Sequence, residues 1–406
     1  MFTYKNRVLH CENVPLTAVS PQFQTPTYVY SQAALHQNAM AYLEDNPALV
    51  CYAVKANGNP AIIRLLGEWG MGADVTSGGE LFLALHADIA ADKIIYSGVG
   101  KLAHEIEAAI SAGVRALHVE SAMELHVIGD IAEKMEVKTD IGIRINPNIA
   151  ADTHPHISTG THAHKFGVTW AVGREMFSYA AAHAWLNPVG IATHIGSQIR
   201  DVEPYVQAAH FLVEKANLLA NEGLKLDYID IGGGLGIDYE EPFTSPMGLI
   251  REWITAVSTP ITAAGYAVKM EPGRSVVGTA GALLTEVIYT KVQGEKTFII
   301  ADAAMNDLLR PSLYDGHHPI LPLKQADGEA IEIDLVGPVC ESGDYLARKR
   351  PLILPKRGDH LLLMHAGAYG FSMSSNYNGR LKAAEILING DKMQVIRERQ
   401  TYKTLL

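Results

Sequence analysis

Leu49-Val-Cys-Tyr-Ala-Val-Lys-Ala-Asn-Gly58 is an apolar, β-prone run that closes on a lysine and then a turn. A lysine at the inner end of a buried strand is costly to keep charged. Burial lowers its pKa, and the neutral amine is a nucleophile able to condense with an aldehyde. Working outward, seven more strand-like runs follow. The eight cover 49–55, 72–76, 93–98, 116–120, 140–146, 188–196, 228–232 and 267–271. Helical stretches such as Asn59–Trp69 and Gly79–Ala87 lie between them, with apolar residues at helical spacing. Eight β-α repeats predict a (β/α)8 barrel, an α/β fold whose chemistry lies at the C-terminal strand ends.

Polar residues recur at those ends. Lys55 closes the first run, Asp74 and Ser77 the second, Ser97-Gly98 the third, and Glu120 the fourth. Arg144 and Asn146 close the fifth, His194-Ile-Gly-Ser-Gln198 the sixth, Gly232-Gly-Gly234 the seventh and Glu271-Pro-Gly-Arg274 the eighth. Stability alone does not ask for polar chemistry at every strand end. After Arg274 the pattern changes to short alternating runs separated by Gly, Pro and Asp turns: 284–291, 296–301, 330–336, 360–366 and 393–397. These predict a mostly β domain. The runs Val8–Val14 and Thr27–Tyr30 are expected to complete it, since the barrel strands are already placed. The expected domains are therefore a barrel over 32–272 and a β domain formed by 1–31 with 273–406.

The 406 residues exceed one ordinary core. The net charge of −11, from 33 basic and 44 acidic side chains, argues against nucleic acid or anionic membrane as partner. No apolar run approaches the roughly 18 residues that span a bilayer. Cys11, Cys51 and Cys340 stand apart, without a Cys-x-x-Cys. That suggests a reducing, cytoplasmic compartment and no structural zinc.

The strand ends combine into one chemistry. Gly232-Gly-Gly234 lets backbone N–H groups approach an anion, and barrels often hold phosphate beyond their last two strands. An ordinary tight turn is the competing reading. Arg274 could add charge for a phosphate or carboxylate. Glu271 beside such a site needs a cationic partner, and a protonated pyridine nitrogen is one. His194, one strand from the glycine turn, could lie against a ring face. A lysine for an aldehyde, a phosphate cradle and an acid for a ring nitrogen together describe pyridoxal 5'-phosphate.

Tyr52-Ala-Val-Lys-Ala-Asn57, Gly72-Ala-Asp-Val-Thr-Ser-Gly-Gly-Glu80, His194–Gln198, Asp230-Ile-Gly-Gly-Gly-Leu-Gly236 and Glu271–Arg274 carry a resemblance. With them stand Ile145-Asn-Pro147, Thr153–Gly160 leading to Lys165-Phe-Gly167, Arg310-Pro-Ser-Leu-Tyr-Asp315, Cys340-Glu-Ser-Gly-Asp344 and Asn376-Tyr-Asn-Gly-Arg380. Over nearly its full length the chain resembles the fold-type III pyridoxal phosphate-dependent decarboxylases. The resemblance implies that Lys55 holds the cofactor covalently, Glu271 contacts the ring nitrogen and His194 stacks on the ring. It assigns Ser197, Gly233, Gly234, Arg274 and Tyr369 to the phosphate and its surroundings, and Asp74 and Glu80 to supporting roles. Cys340 would be the proton donor after carbon dioxide leaves. Cys340 and Glu341 would come from a partner subunit, so a homodimer with shared active sites is implied.

Substrate class follows from the far end of the amino acid. Arg274 and Arg310, with Tyr314, Glu341 and Tyr369, suit a second amino-acid head: guanidinium groups for its carboxylate, Glu341 for its ammonium. A single-headed diamine acid would leave a buried charge orphaned, at about 3–5 kcal/mol. The competing readings are a decarboxylase of another basic amino acid or of a carboxylated polyamine or siderophore precursor, a racemase, a Schiff-base aldolase, and an inactive regulatory homologue. Retention of Lys55, Glu271 and Cys340 argues against the last. His154, His156, His162 and His164 invite a metal reading, but no carboxylate or cysteine cluster accompanies them. A loop over the barrel mouth is the expectation there, with no metal. Asp315 and His317-His318 follow Tyr314 without an assigned role.

Overall fold

The structure, a computed structural model, describes residues 1–149 and 165–406. The chain forms two compact units. One comprises Ala39–Gly236 and Met247–Ser275; the other comprises Met1–Asn38, Ile237–Pro246 and Val276–Leu406.

The first unit is a closed barrel of eight parallel strands in chain order. They are Leu49–Ala53, Gly72–Val75, Ile94–Tyr96, Ala116–Val119, Thr139–Arg144, Leu186–Ala192, Tyr228–Asp230 and Ala267–Met270. The ring closes where Lys269 and Met270 pair with Leu49 and Val50. Strands covered on both faces read as continuous apolar runs, as Ile94-Ile-Tyr96 does, with all three residues buried. Several polar residues that end the sequence runs have left the ladder. Lys55, for example, lies in a 3-10 turn over Val54–Ala56.

Helix starts after the strands use one device twice. Ser77 caps Gly78–His86 by accepting from the Glu80 N–H, and the Glu80 carboxylate accepts from the Thr76 N–H (2.7 Å). Ser121 caps Ala122–Met135, and Glu124 accepts from the Glu120 N–H (2.7 Å). Each Ser-x-x-Glu satisfies N–H groups that a helix start leaves open. Asn59 caps Pro60–Glu68, with proline in its first turn.

Inside the barrel, the fourth and seventh strands meet across the lumen. His118 Nε2 lies 3.0 Å from the Tyr228 hydroxyl. Two glycines make room for this contact. A Cβ on Gly142 would stand 2.7 Å from His118 Cδ2 and 2.9 Å from the Tyr228 hydroxyl. One on Gly190 would stand 2.2 Å from the Tyr228 ring. The ring also receives the buried Lys269 Nζ at 3.4 Å from its centroid, a cation–π contact.

The second unit holds a nine-stranded sheet built around the long strand Gly281–Gln293. Thr27–Ser31 lies between that strand and Ala384–Asn389, so this N-terminal run completes the sheet as expected. Val8–Cys11 does not enter it. It forms a separate three-stranded sheet with Phe2–Lys5 and Val14–Pro15 and reaches the C-terminal part through Leu9 N–H to Leu323 O (2.8 Å). Its apolar side is buried with Val29, Leu284 and Leu362 in one cluster. Among the described residues, no helix is long and apolar enough to cross a membrane.

The Gly190→Ala variant should lower barrel stability by about 1–3 kcal/mol, because the tyrosine ring cannot retreat from the added methyl without losing His118. A thermal-unfolding onset equal to that of the parent would contradict this packing.

Candidate active site

In the barrel unit, Lys55 Nζ lies 3.0 Å from Asp74 Oδ2. The lysine side chain is 36% exposed and the aspartate 0%. This corrects the expectation of a deeply buried lysine. The 3-10 turn lifts its side chain clear of the strand, and its carboxylate partner is the buried member of the pair. Burial and the Glu271 charge push the Asp74 carboxyl up to about 6, with Lys55 opposing them. The acid is therefore still ionised at neutral pH and holds the amine in place.

Glu271, just past the eighth strand, is buried. Burial alone would raise its carboxyl. The hydrogen bond from His118 and the charge of Lys55 act against that, and the carboxyl is held below the usual carboxylate range. Ser97 Oγ donates to Glu271 Oε1 (3.3 Å), and His118 Nδ1 lies 3.5 Å from the same oxygen. His118 is itself shifted down, chiefly by burial. A neutral imidazole with its proton on Nδ1 satisfies both neighbours: it faces the carboxylate and accepts from the Tyr228 hydroxyl at Nε2. Burial raises the Tyr228 hydroxyl well above its ordinary value, so it keeps the proton it donates.

His194 follows the sixth strand. The Gly233 N–H donates to its Nδ1 (3.1 Å), which requires a lone pair there and places any ring proton on Nε2. Burial, followed by the charges of Arg144 and Lys55, lowers the imidazole to about 3. His194 is thus a neutral, flat ring braced by the glycine turn. In that turn Gly232 and Gly234 have φ of +72° and +96°. A Cβ on Gly233 would lie 2.0 Å from the Glu271 carbonyl oxygen, and one on Gly234 2.0 Å from that of Gly196. Glycine is required here for conformation and for closeness alike. Asp230 Oδ1 accepts from the Gly232 N–H (2.8 Å) and fixes the turn. Arg274, buried at the start of Arg274–Val277, donates to Ser197 Oγ (2.9 Å).

Other strand-end residues are structural. Glu120 accepts from Arg144 (2.9 Å) and from the Gly98 and Gly167 N–H groups, tying three loops together. Ser77 and Glu80 are the helix-capping pair described above, so their spacing already has a structural cause.

In the β unit, Arg310 is buried and opens the helix Arg310–Tyr314, whose last residue is half-buried. Cys340 and Glu341 are exposed. The buried Asp344 pins the base of their loop by accepting from the N–H groups of Val339 (2.8 Å) and Met305 (2.7 Å). The Cys340 N–H is held by Asn378 Oδ1 (2.8 Å). Tyr369 has a φ of +55°, a conformation rare for a non-glycine residue. The Thr153–Gly160 motif and the four histidines 154, 156, 162 and 164 lie outside the described residues.

The barrel side chains form a donor set suited to pyridoxal phosphate. An accessible amine is available for its aldehyde and an ionised buried carboxylate for its ring nitrogen. A neutral imidazole suits the ring face. A hydroxyl–guanidinium pair beside a turn that admits no side chain suits the phosphate.

Residues 28–278 match the family described as pyridoxal-dependent decarboxylase, pyridoxal binding domain. A diaminopimelate decarboxylase from Aquifex aeolicus is 43% identical, covering 98% of this chain and 95% of its own length. One from Neisseria meningitidis serogroup B is 45% identical over 97% and 95%. The chain belongs to the diaminopimelate decarboxylase family of pyridoxal-dependent decarboxylases. The crystal structure of the Helicobacter pylori diaminopimelate decarboxylase complexed with L-lysine superposes with a TM-score of 0.91 at 40% identity, covering 96% of this chain and 98% of that one. A Selenomonas ruminantium lysine decarboxylase is more distant, at 26% identity and a TM-score of 0.81, covering 92% and 95%. The barrel, the β domain and the cofactor class read from the sequence all agree with this membership.

His118 and Tyr228 escaped the sequence reading because they lie within strands rather than at strand ends. A polar residue at a lumen-facing position of a barrel strand is the signal that could have found them.

The depressed His194 makes a pH prediction for the cofactor-free protein. Its folded value of about 3 lies below its ordinary 6.5. Between those values the unfolded chain binds a proton that the folded chain does not, so stability falls as pH drops through that window. The urea midpoint of the His194→Gln variant should therefore fall less steeply between about pH 6.5 and pH 4. Parallel slopes in variant and parent would refute the assignment of a neutral ring.

Proposed function

We propose that this protein is a carboxy-lyase that uses pyridoxal phosphate to convert meso-2,6-diaminopimelate into L-lysine and carbon dioxide, the last step of lysine biosynthesis. One observation carries the proposal. A buried carboxylate, Glu271, is kept ionised at the strand ends of a barrel that also presents an amine, in a chain 43% identical to a diaminopimelate decarboxylase over 98% of its length.

When bound, pyridoxal phosphate supplies an electron sink that accepts the electrons left as the α-carboxylate departs. The chain's own residues do the rest. Lys55 supplies the amine that tethers the cofactor, and Asp74 orients that amine. Glu271, anionic, holds a proton on the ring nitrogen. A neutral His194 can lie on the ring face without repelling that positive charge. Ser197, Arg274 and the Gly233-Gly234 turn receive the phosphate, with Tyr369 assigned to its surroundings. At the far end of the substrate, Arg310 with Arg274, Tyr314 and Tyr369 takes the distal carboxylate, and Glu341 the distal ammonium. Cys340 returns a proton from Sγ to the α-carbon after carbon dioxide has left. The exposure of Cys340 and Glu341 supports a homodimer in which these two residues serve the partner's site. The three free cysteines and the charge balance support a cytoplasmic protein.

Purified protein with pyridoxal phosphate should release carbon dioxide from meso-diaminopimelate, with formation of L-lysine, and far less from L-lysine, L-ornithine or L-arginine. Release only from a single-headed amino acid would overturn the assigned substrate. Removing the buried guanidinium in Arg310→Ala should raise the KM for meso-diaminopimelate by at least about tenfold and leave the cofactor absorbance intact. An unchanged KM would refute the role of Arg310.

A further inference from the structure

His317-His318, two residues past Asp315, has no place in the chemistry assigned so far. His318 is fully buried, and both of its ring nitrogens are engaged. Its Nδ1 lies 2.7 Å from the Met364 carbonyl oxygen. A carbonyl has no proton to give, so Nδ1 carries the hydrogen and Nε2 is left with a lone pair. That lone pair faces Arg310, whose guanidinium nitrogen is 2.7 Å away. The ring is thus an acceptor fixed in one tautomer and aimed at one N–H of the arginine.

A second contact fixes the plane of the guanidinium. The Tyr239 ring lies 4.1 Å from the guanidinium carbon, in stacking range. Tyr239 is held in turn. Its ring meets His318 edge-on at 5.4 Å and His365 edge-on at 6.1 Å. Its carbonyl oxygen is 2.9 Å from His317 Nδ1. His365 Nε2 reaches the Glu241 carbonyl oxygen at 2.9 Å. Burial and then the Arg310 charge push the His318 imidazole well below its ordinary value, so it does not compete as a second cation.

We propose that His318 and Tyr239 are positioning residues: together they fix the edge and the face of the Arg310 guanidinium, and so set the preference for an amino acid carrying a carboxylate at its far end. This rests on the assignment of Arg310 to that carboxylate. A guanidinium carries five N–H donors in a rigid fork. His318 takes one, and a bidentate carboxylate uses two in the same plane. An arginine free to rotate would lose that planar match and with it the discrimination.

The test compares holoenzyme variants by steady-state kinetics with meso-diaminopimelate. His318→Phe keeps a ring but removes the acceptor; His318→Gln restores an acceptor near the Nε2 position. His318→Phe should raise KM by about 10–100-fold and change kcat by less than about threefold, as expected for loss of substrate binding. The cofactor absorbance and the affinity for pyridoxal phosphate should not move. His318→Gln should recover most of the loss. In an Arg310→Ala background, His318→Phe should add less than about twofold, because residues acting through one contact are not additive. Tyr239→Leu should show the same pattern, and it serves if His318→Phe does not fold. A KM within about twofold of the parent in His318→Phe, beside a raised KM in Arg310→Ala, would overturn the positioning role alone. So would a rise that persists in the Arg310→Ala background. An unchanged KM in Arg310→Ala would instead remove the reading of Arg310 on which the proposal rests.

Discussion

Keeping the Glu271 carboxylate charged inside the barrel is the constraint on which the site depends. Taking a carboxylate out of water is expensive unless donors and charges replace the lost hydration. Here the replacement is assembled from distant strands. Ser97 comes from the third strand end and His118 from the fourth, with Tyr228 of the seventh behind it. Tyr228 can reach across the lumen because Gly142 and Gly190 leave it the space. A backbone feature, two missing side chains, is thereby linked to the charge state of one acid. Stability and function are coupled through the same contacts.

Two acids in one barrel have opposite environments. Asp74 is raised by burial and by the neighbouring charge of Glu271, yet stays ionised against Lys55. Glu271 is lowered by the hydrogen bond from His118 and by the charge of Lys55. Pairs of titratable groups driven apart by their surroundings mark divided roles. In the proposed function, Asp74 would serve the amine and Glu271 the ring nitrogen. In the same reading a neutral His194 would complete the arrangement, since a positive group against a protonated ring would undo what Glu271 would supply. The glycine turn does two things at once: it closes tightly on the Glu271 and Gly196 backbones, and its Gly233 N–H fixes the His194 tautomer.

Much of this was legible in the residues. The apolar runs with polar ends gave all eight barrel strands and most of the side chains at their C-terminal ends, because burial on both faces writes a continuous apolar pattern. The lysine's surroundings were less legible. A strand ending at Ala53 rather than Lys55 changes a buried amine into a partly exposed one, and a two-residue shift of a strand end is set by tertiary packing. Tyr345–Ile353 was not read as a strand because Arg348-Lys-Arg350 and Pro351 break the apolar pattern; its pairing with Ala330–Val336 overrides local preference. Ser77 drew attention as a polar strand-end residue and Glu80 as a supporting residue implied by the resemblance, and their Ser-x-x-Glu spacing is a helix cap. His118 and Tyr228 pair across 110 residues, and only the alternation of lumen-facing positions could have flagged them; His318 lies eight residues from Arg310, but nothing in that spacing shows that its ring faces the guanidinium.

We propose that this barrel holds an anionic Glu271 against a protonated ring nitrogen of the bound cofactor. The most direct test is the ring-nitrogen chemical shift of 15N-labelled pyridoxal phosphate bound to the enzyme, compared with the Glu271→Gln variant. The account predicts a protonated nitrogen at neutral pH in the parent and loss of that proton in the variant. An unprotonated nitrogen in the parent, or the same signal in both proteins, would contradict it.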